Sequence, residues 1–110
     1  MITTHVLDLA LGRPAAGVPI ILERATSEGW DVIGAGLTDG DGRLRTLIPA
    51  GAPVVYGRYR IRFDTAAYFA ATAQVGFYPY VEVVFELGEP GHAHVPLLVS
   101  PFGYSTYRGS

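Results

Sequence analysis

Hydrophobic and polar residues alternate most regularly over 58–63, where Tyr59, Ile61 and Phe63 interleave with Arg58, Arg60 and Arg62. Successive side chains of a strand point to opposite faces, so this pattern predicts a half-buried strand with one apolar and one cationic face. Val81, Val83, Phe85 and Leu87 alternate in the same way against Glu82 and Glu86. The two polar faces have opposite signs, which predicts pairing across strands; each such pair contributes ~0.2–1 kcal/mol. Other short runs rich in Val, Ile, Leu, Tyr and Phe extend the set of predicted strands to 3–9, 18–26, 31–37, 43–47, 57–64, 79–87, 93–99 and 104–108. Turn signals separate them at Gly12-Arg13-Pro14, Ser27-Glu28-Gly29, Asp39-Gly40-Asp41-Gly42, Pro49-Ala50-Gly51 and Gly88-Glu89-Pro90-Gly91. Strands and turns at this spacing define an all-β sandwich. The segment Asp64–Ala73 departs from the pattern. It is Ala-rich, opens on a helix-capping residue and nears Gly76 at its end, which predicts one short α-helix.

Composition adds an expectation about assembly. The 110 residues fit a single domain spanning 1–110. Hydrophobic residues make up 49% of the chain and charged residues 16%, which is apolar for a small domain with much surface to cover. Further copies of the chain are therefore expected to cover part of that surface. A net charge of −2 gives no basic footprint for nucleic acid. All eight cations are Arg, and Cys is absent, which excludes a disulfide framework, a thiolate nucleophile and a cysteine metal site. The opening Met1-Ile2-Thr3-Thr4-His5 has neither a basic stretch nor a long apolar core, and no run is apolar enough to span a bilayer. A cytoplasmic protein with no membrane partner is the expectation.

Few residues are suited to chemistry. The three histidines are His5, His92 and His94; the last two stand two apart and so share one face of a strand. Histidine is the side chain best placed to move protons near neutral pH. His-x-His with a third His is also a zinc pattern, but nothing in the spacing brings His5 to the pair. Asp39-Gly40-Asp41-Gly42 resembles the start of a calcium loop, yet position 50, where the loop needs Glu, is Ala. No metal is expected, and the turn is read as a tight hairpin leading into Arg43. Ser105 and Ser110 lack the Gly-x-Ser-x-Gly surroundings of a serine nucleophile. The tail Ser100–Ser110 is dense in aromatic, hydroxyl and Gly residues with one Arg, which suits either a docked edge strand or part of a site.

Several segments together resemble one family along essentially the whole chain. They are Thr4–Asp8, Asp41-Gly42-Arg43, Tyr59–Thr65 with Tyr68-Phe69, Phe77–Glu82, His94–Leu98 and the terminal Tyr107-Arg108-Gly109-Ser110. The chain resembles the 5-hydroxyisourate hydrolases, transthyretin-like enzymes of urate breakdown. Transthyretin, the hormone carrier of the same fold, lacks the Tyr-Arg-Gly-Ser ending. The resemblance implies a transthyretin-like β-sandwich of two four-stranded sheets with one short α-helix. It also implies a homotetramer with active sites in channels at the dimer–dimer interface. It assigns catalysis to His5, Arg43, His94 and Ser110, and binding of a small purine-derived substrate to Tyr107, Arg108 and Gly109, with no cofactor. The implied reaction is hydrolysis of 5-hydroxyisourate to 2-oxo-4-hydroxy-4-carboxy-5-ureidoimidazoline by attack of water on a cyclic amide. An extension beyond Ser110 is expected to harm it. His92 matches a frequent family histidine without a catalytic role, and Ala93 stands where the family often has Tyr. Two alternatives are a transthyretin-like carrier of a small hydrophobic ligand and a zinc hydrolase built on His5, His92 and His94.

Overall fold

The structure is a computed structural model describing residues 1–110. The chain folds as β1 (Ile2–Asp8), β2 (Arg13–Pro14), β3 (Pro19–Thr26), β4 (Gly29–Leu37), β5 (Arg43–Leu44), β6 (Gly57–Phe63), α1 (Thr65–Ala71), β7 (Val81–Leu87), β8 (Ala93–Ser100) and β9 (Gly103–Thr106). One sheet has the order β4-β3-β6-β7. The other has the order β2-β1-β8-β9, with β5 also pairing β1. β1 and β8 run parallel; every other pairing of strands is antiparallel.

The alternating patterns set these faces. Tyr59, Ile61 and Phe63 are buried with Ile20, Leu22 and Val81 from their own sheet and with Ile2, Val6, Val95, Leu97 and Val99 from the other. The arginines of β6 stay on the outer face and meet the predicted partners. Register sets Arg58 opposite Glu86 and Arg62 opposite Glu82. Arg58 Nε lies 2.7 Å from Glu86 and Arg60 Nε 3.0 Å from Glu23. Longer contacts tie Arg60 and Arg62 to Glu82.

The helix is shorter than the predicted segment. Asp64 caps it by accepting a hydrogen bond from the Ala67 amide at 3.0 Å. It ends at Ala71, with Ala73 in the left-handed conformation at φ 57° instead of a glycine further on. Its buried Tyr68 donates to Asp8 Oδ2 at 2.6 Å, tying the helix to β1.

Most predicted strands shift by a residue or two at their ends, and three places differ more. Arg13–Pro14, predicted as a turn, adds a two-residue strand beside the end of β1, so this sheet has five strands and the other four. The strand predicted over 43–47 keeps only Arg43–Leu44, because the chain then turns inward to bury Leu47 completely. The last strand stops at Thr106 because of Pro96 on the facing strand. Proline offers no N–H to the ladder, and the Pro96 carbonyl accepts the Thr106 hydroxyl instead at 2.6 Å. Pairing resumes at Gly109, whose amide donates to the His94 carbonyl at 2.9 Å.

Candidate active site

His5, Arg43 and His94 meet on the outer face of the five-stranded sheet. Along β1, Ile2, Thr4, Val6 and Asp8 point inward and are buried, which leaves Thr3, His5 and Leu7 outward. The parallel register puts Thr3 beside His94 and His5 beside Pro96. The antiparallel register on the other edge puts His5 beside Arg43. Two histidines and an arginine from three separate parts of the chain thus share one sheet face.

The Asp39–Gly42 turn holds Arg43 there. Asp39 Oδ1 accepts the amides of Asp41 at 2.9 Å and Arg43 at 3.0 Å. These bonds hold its carboxyl below the usual carboxylate range, with the nearby Arg45 and Arg43 cations adding to the effect. The turn bonds to β1 through the Val6 amide and the Gly42 carbonyl at 2.7 Å. Gly42 has φ 76°, and a Cβ there would run into the Val6 carbonyl oxygen, so only glycine closes this turn against the strand. The turn also orients His5, whose Nε2 lies 2.9 Å from the Asp41 carbonyl oxygen. A carbonyl only accepts, so this contact assigns the hydrogen to Nε2 and leaves Nδ1 as the free nitrogen of the neutral ring.

A cavity of about 220 Å³ opens on this face, lined by Met1, Thr3, Thr4, Arg43, Arg45, His92, His94 and Ser110. Its lining holds two guanidiniums and no carboxylate side chain. The three arginines of β6 are paired with glutamates, whereas Arg43 and Arg45 form no ion pair. His94 is half-buried, and its Nδ1 lies 2.8 Å from the Thr3 hydroxyl. Burial lowers its pKa below 6.5, and Arg43, His5, His92 and Arg45 lower it further by disfavouring a second positive charge. These effects favour the neutral form of His94, the form with a lone pair available to take a proton.

The site residues do not all share this cavity. Arg43, His94 and Ser110 line it, and His5 stands beside Arg43 on the same face. Tyr107 and Arg108 line a neighbouring cavity of about 280 Å³ that also takes in His92 and His94 and is walled by Val83, Phe85, Leu87, Ala93 and Val95. Gly109 lies against the His94 ring, where an added Cβ would be 2.5 Å from Cδ2. Thr3 and Arg45 were not singled out in the sequence. Each stands two residues from a predicted site residue, at the spacing that shares a strand face, and that was their only signal. No group of three His, Cys, Asp or Glu side chains converges in a metal-ligand arrangement.

A two-sheet β-sandwich with a cationic, histidine-bearing pocket on one outer face defines the class of this protein. The chain matches the HIUase/Transthyretin family over residues 2–109 and belongs to it. The 5-hydroxyisourate hydrolase of Mus musculus is 45% identical over 112 residues, covering 99% of this chain and 94% of that protein. The structure of Klebsiella pneumoniae 5-hydroxyisourate hydrolase matches with a TM-score of 0.86 and 36% identity over 99% of this chain and 97% of that one. Transthyretin from Sparus aurata matches with a TM-score of 0.88 and 35% identity over 98% and 95%. The backbone is thus equally similar to a hydrolase and to a transthyretin, and the side chains of the pocket must distinguish them.

Proposed function

We propose that this protein hydrolyses 5-hydroxyisourate, opening its six-membered ring to give 2-oxo-4-hydroxy-4-carboxy-5-ureidoimidazoline. The observation that carries this reading is the pocket lining. Unpaired Arg43 and Arg45 beside His94, whose neutral form is favoured, with no carboxylate side chain among the lining residues, suit a flat, oxygen-rich heterocycle that develops negative charge. A carrier of a hydrophobic ligand has no use for two guanidiniums that lack an ion-pair partner. The family relatives named as 5-hydroxyisourate hydrolases support the same reading.

In the proposed mechanism, His94 accepts a proton from water as the water oxygen attacks the ring carbonyl carbon. Arg43 stabilises the oxyanion as it forms; a donor of this kind is worth ~2.7–4 kcal/mol. The intermediate then collapses with cleavage of the ring C–N bond, and the proton held on His94 passes to the leaving nitrogen. A carboxyl group and a ureido N–H result, and the acid–base balance closes without a covalent intermediate. His5, held through Nε2 by the Asp41 carbonyl, presents Nδ1 as a second proton acceptor next to Arg43. In this reading Ser110, which lines the pocket, contacts the edge of the ring. In the same reading Tyr107 and Arg108, which line the adjoining cavity together with His94, contribute to substrate binding from that side.

We infer further that four copies assemble with these faces opposed, closing the open pocket into a channel. The exposed apolar side chains along the tail, including Phe102 and Tyr107, support this arrangement. The activity test is loss of 5-hydroxyisourate absorbance after adding purified protein to freshly oxidised urate. A rate above the spontaneous one supports the reading; a rate equal to it overturns the reading.

A further inference from the structure

Building on the role given to His94, two of its neighbours bear on how its ring is held. Thr3 is nearly buried, 8% exposed, and its hydroxyl makes one side-chain hydrogen bond, the 2.8 Å contact with His94 Nδ1. Its place is fixed by the parallel ladder, which sets it directly beside His94. The next residue, Thr4, points into the core and donates to the Val95 carbonyl, locking the register of the two strands at this point. On the other edge of β8, the Gly109 amide bonds the His94 carbonyl at 2.9 Å. A Cβ at Gly109 would lie 2.5 Å from His94 Cδ2 and 3.2 Å from Pro96 Cγ. Gly109 does not have a positive φ, so its backbone does not demand glycine; the space filled by the imidazole does.

We propose that Thr3 and Gly109 are the positioning residues of His94: the hydroxyl grips Nδ1, the missing side chain seats the opposite ring edge, and Nε2 is the atom left to face substrate. Nε2 makes no hydrogen bond within the chain, whereas Nδ1 is occupied. A proton gained and lost at Nε2 requires Nδ1 to keep its hydrogen, so the Thr3 hydroxyl accepts from Nδ1–H in both the neutral ring and the imidazolium. The ring therefore keeps its anchor, and its tautomer, while it gains and loses a proton at Nε2. A fixed carboxylate in that place would raise the affinity of the ring for protons. The groups near His94 act the other way: Arg43 and Arg45 from the turn segment, together with the rings of His5 and His92.

The test compares Thr3→Val, Thr3→Ser and Gly109→Ala with wild type, using ring ¹⁵N resonances of His94 and steady-state kinetics. Valine keeps the shape and removes the hydroxyl. Its kcat falls about ten- to a hundredfold with KM nearly unchanged, as expected of a misplaced catalytic group. The imidazolium loses its acceptor, so the His94 pKa falls further and the acid limb of the rate profile moves to lower pH. Serine restores both kcat and the profile. Gly109→Ala displaces the ring and changes its resonances; a thermal melt separates this from loss of fold. The resonances report on the clamp even if wild type does not hydrolyse 5-hydroxyisourate, so failure of the clamp and failure of the proposed reaction are distinguished. His94 resonances and kcat unchanged in folded Thr3→Val would overturn the proposal.

Discussion

His94 gathers most of the electrostatic consequences of the site. Its neutral form is favoured first by burial and then by four neighbouring cationic or titratable groups, Arg43, His5, His92 and Arg45. The acid limb of the rate profile should therefore inflect below 6.5, the ordinary value for the ring. Replacing Arg43 with Gln removes a positive charge, so the His94 pKa rises and the acid limb moves to higher pH. The same change removes an oxyanion donor, which costs about 10²–10³-fold in kcat. Both effects are read from one pH–rate series on Arg43→Gln; an unmoved acid limb would contradict the electrostatic account. His5 and His94 stood out in the sequence as two of only three histidines, whereas Arg43, one of eight arginines, was assigned its role by the family resemblance. Arg45 and Thr3 were not singled out, because their relevance depends on which strands pair. No local pattern shows that β1 lies parallel to β8, and only that pairing sets Thr3 at the imidazole.

Among the elements, the Asp39–Gly42 turn has the largest share in building the site. It was legible as a tight turn, and the missing Glu ruled out a calcium loop. Its purpose was not legible, because that rests on two contacts distant in sequence: the Val6 carbonyl that excludes a side chain at Gly42, and the Asp41 carbonyl at His5. Gly42→Ala must put a side chain into a left-handed conformation, which costs roughly 1–2 kcal/mol before the clash is counted. Denaturant unfolding should show at least that loss, and activity should fall as Arg43 and His5 lose their placement. A variant of wild-type stability would mean that the turn relaxes freely. The terminal strand teaches the same lesson from the other side. The predicted strand over 104–108 is interrupted because the facing residue is Pro96. The proline was visible in the sequence; that the tail would face it was not.

At the scale of the whole molecule, the sandwich followed from alternation and turn spacing, and the charged faces of β6 and β7 paired as their signs required. The buried acid that ties helix to sheet was missed, since Asp8 looks like any strand-end carboxylate. Asp8 accepts from Tyr68 at 2.6 Å, Gln74 at 3.1 Å and the Leu11 amide at 2.9 Å. Burial pushes its pKa up, but the hydrogen bonds from Tyr68, Leu11, Gln74 and Ala10 outweigh this and hold it below 3.8. Burial and the same acid raise the Tyr68 hydroxyl to about 12. A carboxylate with a depressed folded pKa stabilises the fold above its unfolded value, and that stability is lost as pH falls through the folded value. Asp8→Asn should thus cost about 1.5–3 kcal/mol near neutral pH, as expected for hydrogen bonds to a charged group. Its stability should also fall less steeply in acid than that of wild type. Assembly belongs to this scale too. Sedimentation should give a particle of four 11.8 kDa chains, and a monomer that remained fully active would contradict the proposed channel.

The most direct test of the central claim is the decay of 5-hydroxyisourate, followed by absorbance in freshly oxidised urate with wild type and His94→Ala side by side. Wild type should speed the decay well above the spontaneous rate. His94→Ala, shown to be folded and of the same assembly state, should lose about 10²–10⁴-fold of that acceleration, the usual contribution of a positioned base. Decay at the spontaneous rate with wild type, or equal acceleration by the variant, would contradict the account.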